Sequence, residues 1–318
     1  MVRVIKEKYF FLFIVFLAAI LPVVKNEFVV HVFIMVFTAA TMGLAWNIIS
    51  GYGGQLSLGH AAFYGIGAYT STLLYNHLGI SPLIGMIIGG FLAVVASLII
   101  GAPCFRLRGT YFVLATIAFA EVLRILCVYF RGLTEGSLGI ALKFEPGFAH
   151  LMFEHKEPYA YIALGLMTVV YYTSVWIGRS RLGYYLIGIK ENEDGTQALG
   201  VNTYLVKLIA FMISAFITAI IGSFFAQYIL YIDPHGEFSL TLSIFIALPV
   251  MIGGIGTTLG PIIGAFMITP LIELPSLFIG GQYQGLQNIF FGVILILVVI
   301  WIPQGVLKWA QEKLMRKS

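Results

Sequence analysis

Charge is what this chain has least of. Only 10% of its 318 residues are Asp, Glu, Lys or Arg, against 60% hydrophobic, and its mean hydropathy is +0.97. Soluble globular domains carry roughly a quarter charged residues, so a water-dissolved fold is excluded and the whole chain reads as a bilayer protein. Cysteine is nearly missing as well. Cys104 and Cys127 are the two present, and they fall near opposite ends of consecutive apolar runs, too far apart to bridge. No Cys/His spacing of a metal site occurs. There is no G-x-x-x-x-G-K-[ST] run, so the chain has no phosphate-cradling loop of its own and any nucleotide hydrolysis belongs to a partner.

What the chain has instead is long apolar runs. A helix needs ~20 apolar residues to cross a ~30 Å hydrocarbon core, and ten runs approach that length: Tyr9–Val24, Phe28–Ala45, Leu56–Leu74, Leu83–Gly101, Tyr111–Tyr129, Tyr159–Ile177, Leu208–Ile232, Phe238–Gly253, Pro261–Ile279 and Leu286–Ile302. The expectation is an all-α polytopic membrane protein of about ten transmembrane helices in one domain spanning residues 1–318. Lys and Arg stay preferentially on the cytoplasmic side. With a cytoplasmic N-terminus, thirteen of them fall inside and only Lys25, Arg131, Lys143 and Lys156 outside, with Arg124 within a span. Both termini are therefore expected in the cytoplasm. The net charge of +4 is what such a topology produces and points to no nucleic-acid partner. Basic residues before the first apolar run resemble a signal peptide, but no A-x-A-like site follows Leu21, so that run reads as a retained helix.

The connecting segments carry the rest. An external loop, 130–158, contains Glu135, Glu145, Glu154 and Glu157; it either covers the mouth of the bundle or receives a soluble partner. The polar interruption Gly178 to Asn202, within a cytoplasmic loop at 178–205, is costly to keep between two spans unless something soluble docks on it. Glycine, with 35 residues, punctuates the apolar runs. In SGYGGQLSLGHAAFYGIGAY (Ser50 to Tyr69), two readings stay open. The glycines serve tight helix packing, or Gly53 and Gly54 break the helix and aim Gln55, Ser57 and His60, around Gly59, into a cavity. GGIGTTLG at 253–260 repeats the habit out of register, as shared packing chemistry and not an internal repeat. Charge at the bilayer centre costs about 2.5–3.5 kcal/mol, so Glu121 and Arg124, three apart on one helix face, are expected to pair, as a strut or at a site of substrate contact. Glu273 is expected near the outer boundary, and His31 and His60 read as packing histidines.

These motifs together resemble the permease subunits of branched-chain amino acid ABC importers, the LivM-like branch. The resemblance covers nearly the whole chain through Asn47 to Tyr69, Gly109 to Arg124, Arg181 to Asn202 and Gly253 to Gly264. In that family the cytoplasmic stretch reads about S-R-x-G-R-x-x-x-A-I-[RK]-E-N-E, then alanines, then G-[IV]-[NDS]. Ser180, Arg181, Gly183, Ile189, Lys190, Glu191, Asn192, Glu193, Ala198, Gly200, Val201 and Asn202 match it. Tyr184, Gly188 and Gly195 depart from it, which implies a shorter or more mobile coupling helix, since glycine costs about 1 kcal/mol relative to alanine within a helix; Gly200 suits the left-handed position after the last turn.

The resemblance implies a type II importer-like permease fold in the bacterial inner membrane. It implies ATPase coupling through Arg181, Gly183, Lys190, Glu191, Asn192, Glu193 and Gly200, and no enzyme activity or cofactor in this chain. The partners it implies are a homologous second permease, two ATPases that hold ATP and Mg, a periplasmic or lipid-anchored substrate-binding protein, and membrane lipid. Urea or short amides are an alternative cargo, and an ion-coupled secondary transporter is the alternative class.

Overall fold

The computed structural model describes residues 2–23, 26–107 and 109–279, with positions 292, 293 and 296. The expected run Leu286–Ile302 lies outside those residues. Thirteen helices are seen among them: α1 (Val2–Ile20), α2 (Glu27–Trp46), α3 (His60–Leu78), α4 (Pro82–Cys104), α5 (Thr110–Tyr129), α6 (Arg131–Thr134), α7 (Glu157–Arg179), α8 (Arg181–Glu191), α9 (Glu193–Ala198), α10 (Thr203–Ile229), α11 (Pro234–Glu237), α12 (Leu240–Gly253) and α13 (Gly260–Ile279). The chain is an all-α membrane protein. Five of these stretches are both long and apolar enough to cross a bilayer: Glu27–Tyr52, Pro82–Cys104, Thr110–Tyr129, Glu157–Arg179 and Thr203–Ile229. At 1.5 Å per residue the 14 residues of α12 span about 21 Å, less than the hydrocarbon core.

α1 and α10 start earlier than the runs Tyr9–Val24 and Leu208–Ile232, and two further boundaries differ from the sequence reading at the break. The second apolar run stops at Ala45, yet its helix continues as a π-turn over Asn47–Tyr52. The third run starts at Leu56, but its helix starts only at His60. Hydropathy reports side chains, whereas a helix end is set by where backbone groups find partners.

At the centre, α10 packs against α3 and α4, and α2 lies against α7, α12 and α13. Close backbone approach decides the central contact. A Cβ on Gly67 of α3 would lie 1.9 Å from Ala219 O, and one on Gly222 of α10 would lie 2.1 Å from Tyr64 O. Two glycines thus let α3 and α10 touch backbone to backbone, as small residues do where packing replaces the hydrophobic drive. Ser223 adds a hydroxyl that donates to Gly67 O at 2.8 Å.

The loop at 130–158 folds down onto the end of α10. Its strand β1 (Ile140–Ala141) pairs antiparallel with β2 (Tyr231–Ile232), just after α10. Asn76 Nδ2 donates to Ala141 O at 3.1 Å, Ser81 Oγ donates to Ala149 O, and Leu142 and Met152 are buried. Both cysteines are unbridged, Cys104 at the end of α4 and Cys127 near the other end of the antiparallel α5.

Because the clash at Gly67 and Gly222 is with backbone, Gly222→Ala should lower stability by about 1–3 kcal/mol, the usual cost of overpacking. A thermal melt in detergent reads this directly. Gly165→Ala, in α7 where an added Cβ meets nothing within 4 Å, should be neutral or stabilising by up to about 1 kcal/mol. Equal effects at the two positions would show that the α3–α10 contact does not depend on its glycines.

Candidate coupling site

The polar interruption is cut into pieces by its own capping residues. Ser180 accepts from Gly183 N and starts α8, Asn192 accepts from Gly195 N at 2.8 Å and starts α9, and Asn202 accepts from Leu205 N at 3.1 Å and starts α10. Each side-chain oxygen satisfies an N–H that the helix start leaves unbonded. Glu193 and Asp194 in the first turn of α9 complement its dipole. The segment is thus two short helices, where the sequence suggested one.

Its glycines have steric reasons. A Cβ at Gly183 would lie 2.2 Å from Ile177 O in the turn from α7, and one at Gly188 would lie 3.0 Å from Thr196 Oγ1. Gly188 thus gives Thr196 of α9 room against α8, and the segment is divided into helices of 11 and 6 residues. Gly200 has φ +86°, the left-handed conformation.

The two helices have an inner and an outer side. Gly183, Leu186, Ile189 and Thr196 are buried against the membrane body. Arg181 and Glu191 are exposed, together with apolar Tyr184, Ile187 and Leu199, the last 86% exposed. Lys190, though exposed, and half-buried Glu193 each bond to the body through the end of the side chain. Lys190 Nζ donates to Gly51 O at 2.9 Å, and Glu193 Oε1 accepts from Lys207 Nζ at 2.6 Å. Lys207, four residues into α10, has a side chain only 2% exposed and lies 5.6 Å from the centre of the Phe105 ring. Breaking a buried pair from one side costs about 3–5 kcal/mol, whereas a hydrogen bond to a charged group contributes about 1.5–3 kcal/mol. α9 is thus joined to α10 through this ion pair, and α8 is held by the Lys190 bond and by its buried Leu186 and Ile189.

Above Lys190 lies the break at residues 53–59. Gly53 is buried, Gly54 is exposed with φ +68°, and Gln55 is half-buried. Gly59 fits because a Cβ there would be 2.4 Å from Thr116 O of α5. Ser57 and His60 are fully buried. Ser214 Oγ donates to Ala45 O at 2.7 Å and so accepts from His60 Nε2 at 2.8 Å; His60 Nδ1 then accepts from Ser57 Oγ at 3.1 Å. Leu58 N donates to Thr116 Oγ1, Ala61 N to Ser243 Oγ, and Trp46 Nε1 to Ser57 O at 2.7 Å. Of the polar groups expected in a cavity, Ser57 and His60 instead hold the break together inside the protein. The glycine-rich segment at 253–260 meets the same place: Asn47 Oδ1 accepts from Gly256 N at 2.9 Å and Asn47 Nδ2 donates to Thr257 O at 3.0 Å.

Glu121 and Arg124 are brought together elsewhere, in the half of α5 away from the coupling helices. Arg124 Nε donates to Glu121 Oε2 at 2.8 Å, and Arg124 Nη1 donates to His235 Nδ1 at 3.0 Å. The Glu121 side chain is 51% exposed on this single chain. Glu273 sits 3.7 Å from His31, whose Nδ1 pairs with the Tyr228 hydroxyl.

Sequence reasoning missed Lys207 and Asn47. A lysine inside the first turns of an apolar run was a readable signal for Lys207; the partner of Asn47, 209 residues away, left none.

A bundle of apolar helices with a buried break and a polar two-helix appendage is the architecture of a multi-pass membrane protein. A family described as the branched-chain amino acid transport system permease component matches residues 28–299, and the chain belongs to it. It is a LivM-like, multi-pass permease. It is 28% identical to the high-affinity branched-chain amino acid transport system permease protein LivM of Escherichia coli K12, over 99% of this chain and 78% of that protein. It is 25% identical to LivH of the same organism over 85% of this chain and 91% of that protein. A probable LivM of Methanocaldococcus jannaschii is 23% identical over 83% and 84%. No solved structure matches the chain.

The pairing of Glu193 with Lys207 is measurable as a double-mutant cycle. Glu193→Gln leaves a desolvated ammonium without its counter-charge and should cost about 3–5 kcal/mol, while Glu193→Gln with Lys207→Met should recover most of it. Additive losses in detergent melts, with no recovery in the double variant, would rule the pair out.

Proposed function

We propose that this chain is the permease subunit of an ATP-driven importer of branched-chain, hydrophobic amino acids in the inner (plasma) membrane, working by alternating access. The observation that carries the reading is the two-helix appendage. It turns Tyr184, Ile187 and Leu199 outward beside Arg181 and Glu191, while its other side is bound into the membrane body. Apolar side chains exposed beside charges form a protein-docking surface. ATP and Mg would be held by two partner ATPases seated there, and this chain would perform no covalent chemistry.

The proposed topology has ten spans with both termini cytoplasmic, which the excess of Lys and Arg on one side supports. A homologous second permease would cover α5, whose face is largely uncovered apart from Phe112, Thr116 and Ala120. A substrate-binding protein would deliver cargo to the outer side.

Reconstituted with its partners, the protein should take up leucine-type amino acids only with ATP. Vanadate should stop uptake, and collapse of the proton gradient should leave it intact. Uptake by this chain alone, driven by an ion gradient, would restore the secondary-transporter reading, and uptake of urea in place of leucine would change the cargo.

Charge reversal at the docking face gives a second test. Glu191→Lys sets like charges against a partner at a cost of up to several kcal/mol, so ATPase assembly or stimulated hydrolysis should fall while membrane insertion stays normal. Unchanged hydrolysis and unchanged uptake would show Glu191 to be a solvated residue.

A further inference from the structure

The two coupling helices are joined to the membrane body in different ways. α9 is anchored to α10 by the desolvated Glu193–Lys207 pair. α8 is joined at its last turn to the end of the π-turn, where Lys190 Nζ donates to Gly51 O at 2.9 Å. The carbonyls at the end of a helix have no partner within it, and a cation there also meets the negative end of the helix dipole. The contact extends along the stem of the side chain. A Cβ built on Gly54 would lie 3.0 Å from Lys190 Cγ and 3.3 Å from Lys190 Cβ. Two residues beyond Gly51 the chain leaves helical geometry, and at Gly54 it turns with φ +68°. The neighbouring 254–257 segment shares the junction through Asn47 and through Gly256, whose Cβ would lie 3.1 Å from Lys190 Nζ. α8 is thus fastened at the break in α2–α3, where backbone torsions can change without unwinding a regular helix.

Building on the importer reading above, we propose that Lys190 is a positioning residue. Its bond to Gly51 makes α8 and the broken end of α2 move as one, so that displacement of the coupling helix reaches residues 53–59 and, through Asn47, the segment after α12. Lys190 is exposed beside Ile187 and Glu191, and the proposed role lies in its Nζ contact with Gly51 and not in contacts with a partner.

The test uses the complete complex in liposomes and reads two rates, ATP hydrolysis and leucine uptake. Lys190→Met keeps the stem and loses the donor. Hydrolysis should stay near the wild-type rate while uptake per ATP falls about tenfold, and Lys190→Arg should restore most of the ratio. An unchanged ratio in Lys190→Met overturns the proposal. Loss of hydrolysis in step with uptake overturns it too, by placing Lys190 in the ATPase interface. A wild-type complex that imports leucine without hydrolysing ATP sinks the importer reading instead.

If Lys190→Met does not assemble, Gly54→Cys with Lys190→Cys, in a Cys104→Ser, Cys127→Ser background, reads the same contact. The 3.3 Å approach lies just below the ~3.5–4.5 Å Cβ separation of a disulfide, so the two elements need only part slightly for the bond to form, and Gly54→Cys alone, which carries the strain of φ +68°, is the control. The reduced pair should show the low uptake per ATP, and oxidation with diamide should restore it by replacing the bond covalently. Oxidation that leaves the ratio low, or stops uptake altogether, would show that the two elements do not travel together.

Discussion

In hydrocarbon an unbonded peptide group has no water to turn to, so non-helical backbone at membrane depth persists only where protein supplies every partner. The buried end of the break, Ser57 to Gly59 with the first turn of α3, meets that constraint with side chains drawn from four other elements, while Gly54 and Leu56 are exposed. Thr116 of α5, Ser243 of α12, Ser214 of α10 and Trp46 of α2 each bond the break or the first turn of α3. Their positions around the break follow from it: each helix that supplies a partner must pass close enough to reach. The glycines follow as well, because at Gly59 the backbone of α5 comes within 2.4 Å of where a Cβ would be.

A break held in this way is ordered but not stiff. Side-chain partners can be exchanged one at a time, whereas the α3–α10 contact, backbone on backbone through Gly67 and Gly222, has no such freedom. The two contacts therefore differ in kind, one fixed by backbone shape and the other by exchangeable side-chain bonds.

The sequence made the broad outline legible for a simple reason. Twenty apolar residues in water are prohibitive, so long runs such as Pro82–Cys104 read directly as spans. Glu121 with Arg124 was visible as a pair because the signal is local, whereas Ser180 and Asn202 were read only as parts of a motif and not as helix starts. The split at Asn192 was also local, an Asn followed by Glu193 and Asp194, but it lay inside a stretch that read as one motif. What stayed illegible was whatever depends on a distant segment. Asn47 meets Gly256 across 209 residues and His60 meets Ser214 across 154; no periodicity encodes such meetings. Gly188, read as a weakness of the helix, has its explanation in Thr196 of the next helix.

Charge within the membrane body sorts by direction. Lys207 points inward, is removed from water and has its carboxylate and an aromatic ring beside it, so it can hold a fixed position at little residual cost. Glu121 and Arg124 point outward on α5 and, although paired and joined by His235, leave the carboxylate half uncovered. A carboxylate facing lipid at that depth would cost about 2.5–3.5 kcal/mol, more than an exposed pair returns. The cost disappears only if another protein surface or a water-filled passage lies against α5. The uncovered charge thus marks the face that the proposed assembly has to complete.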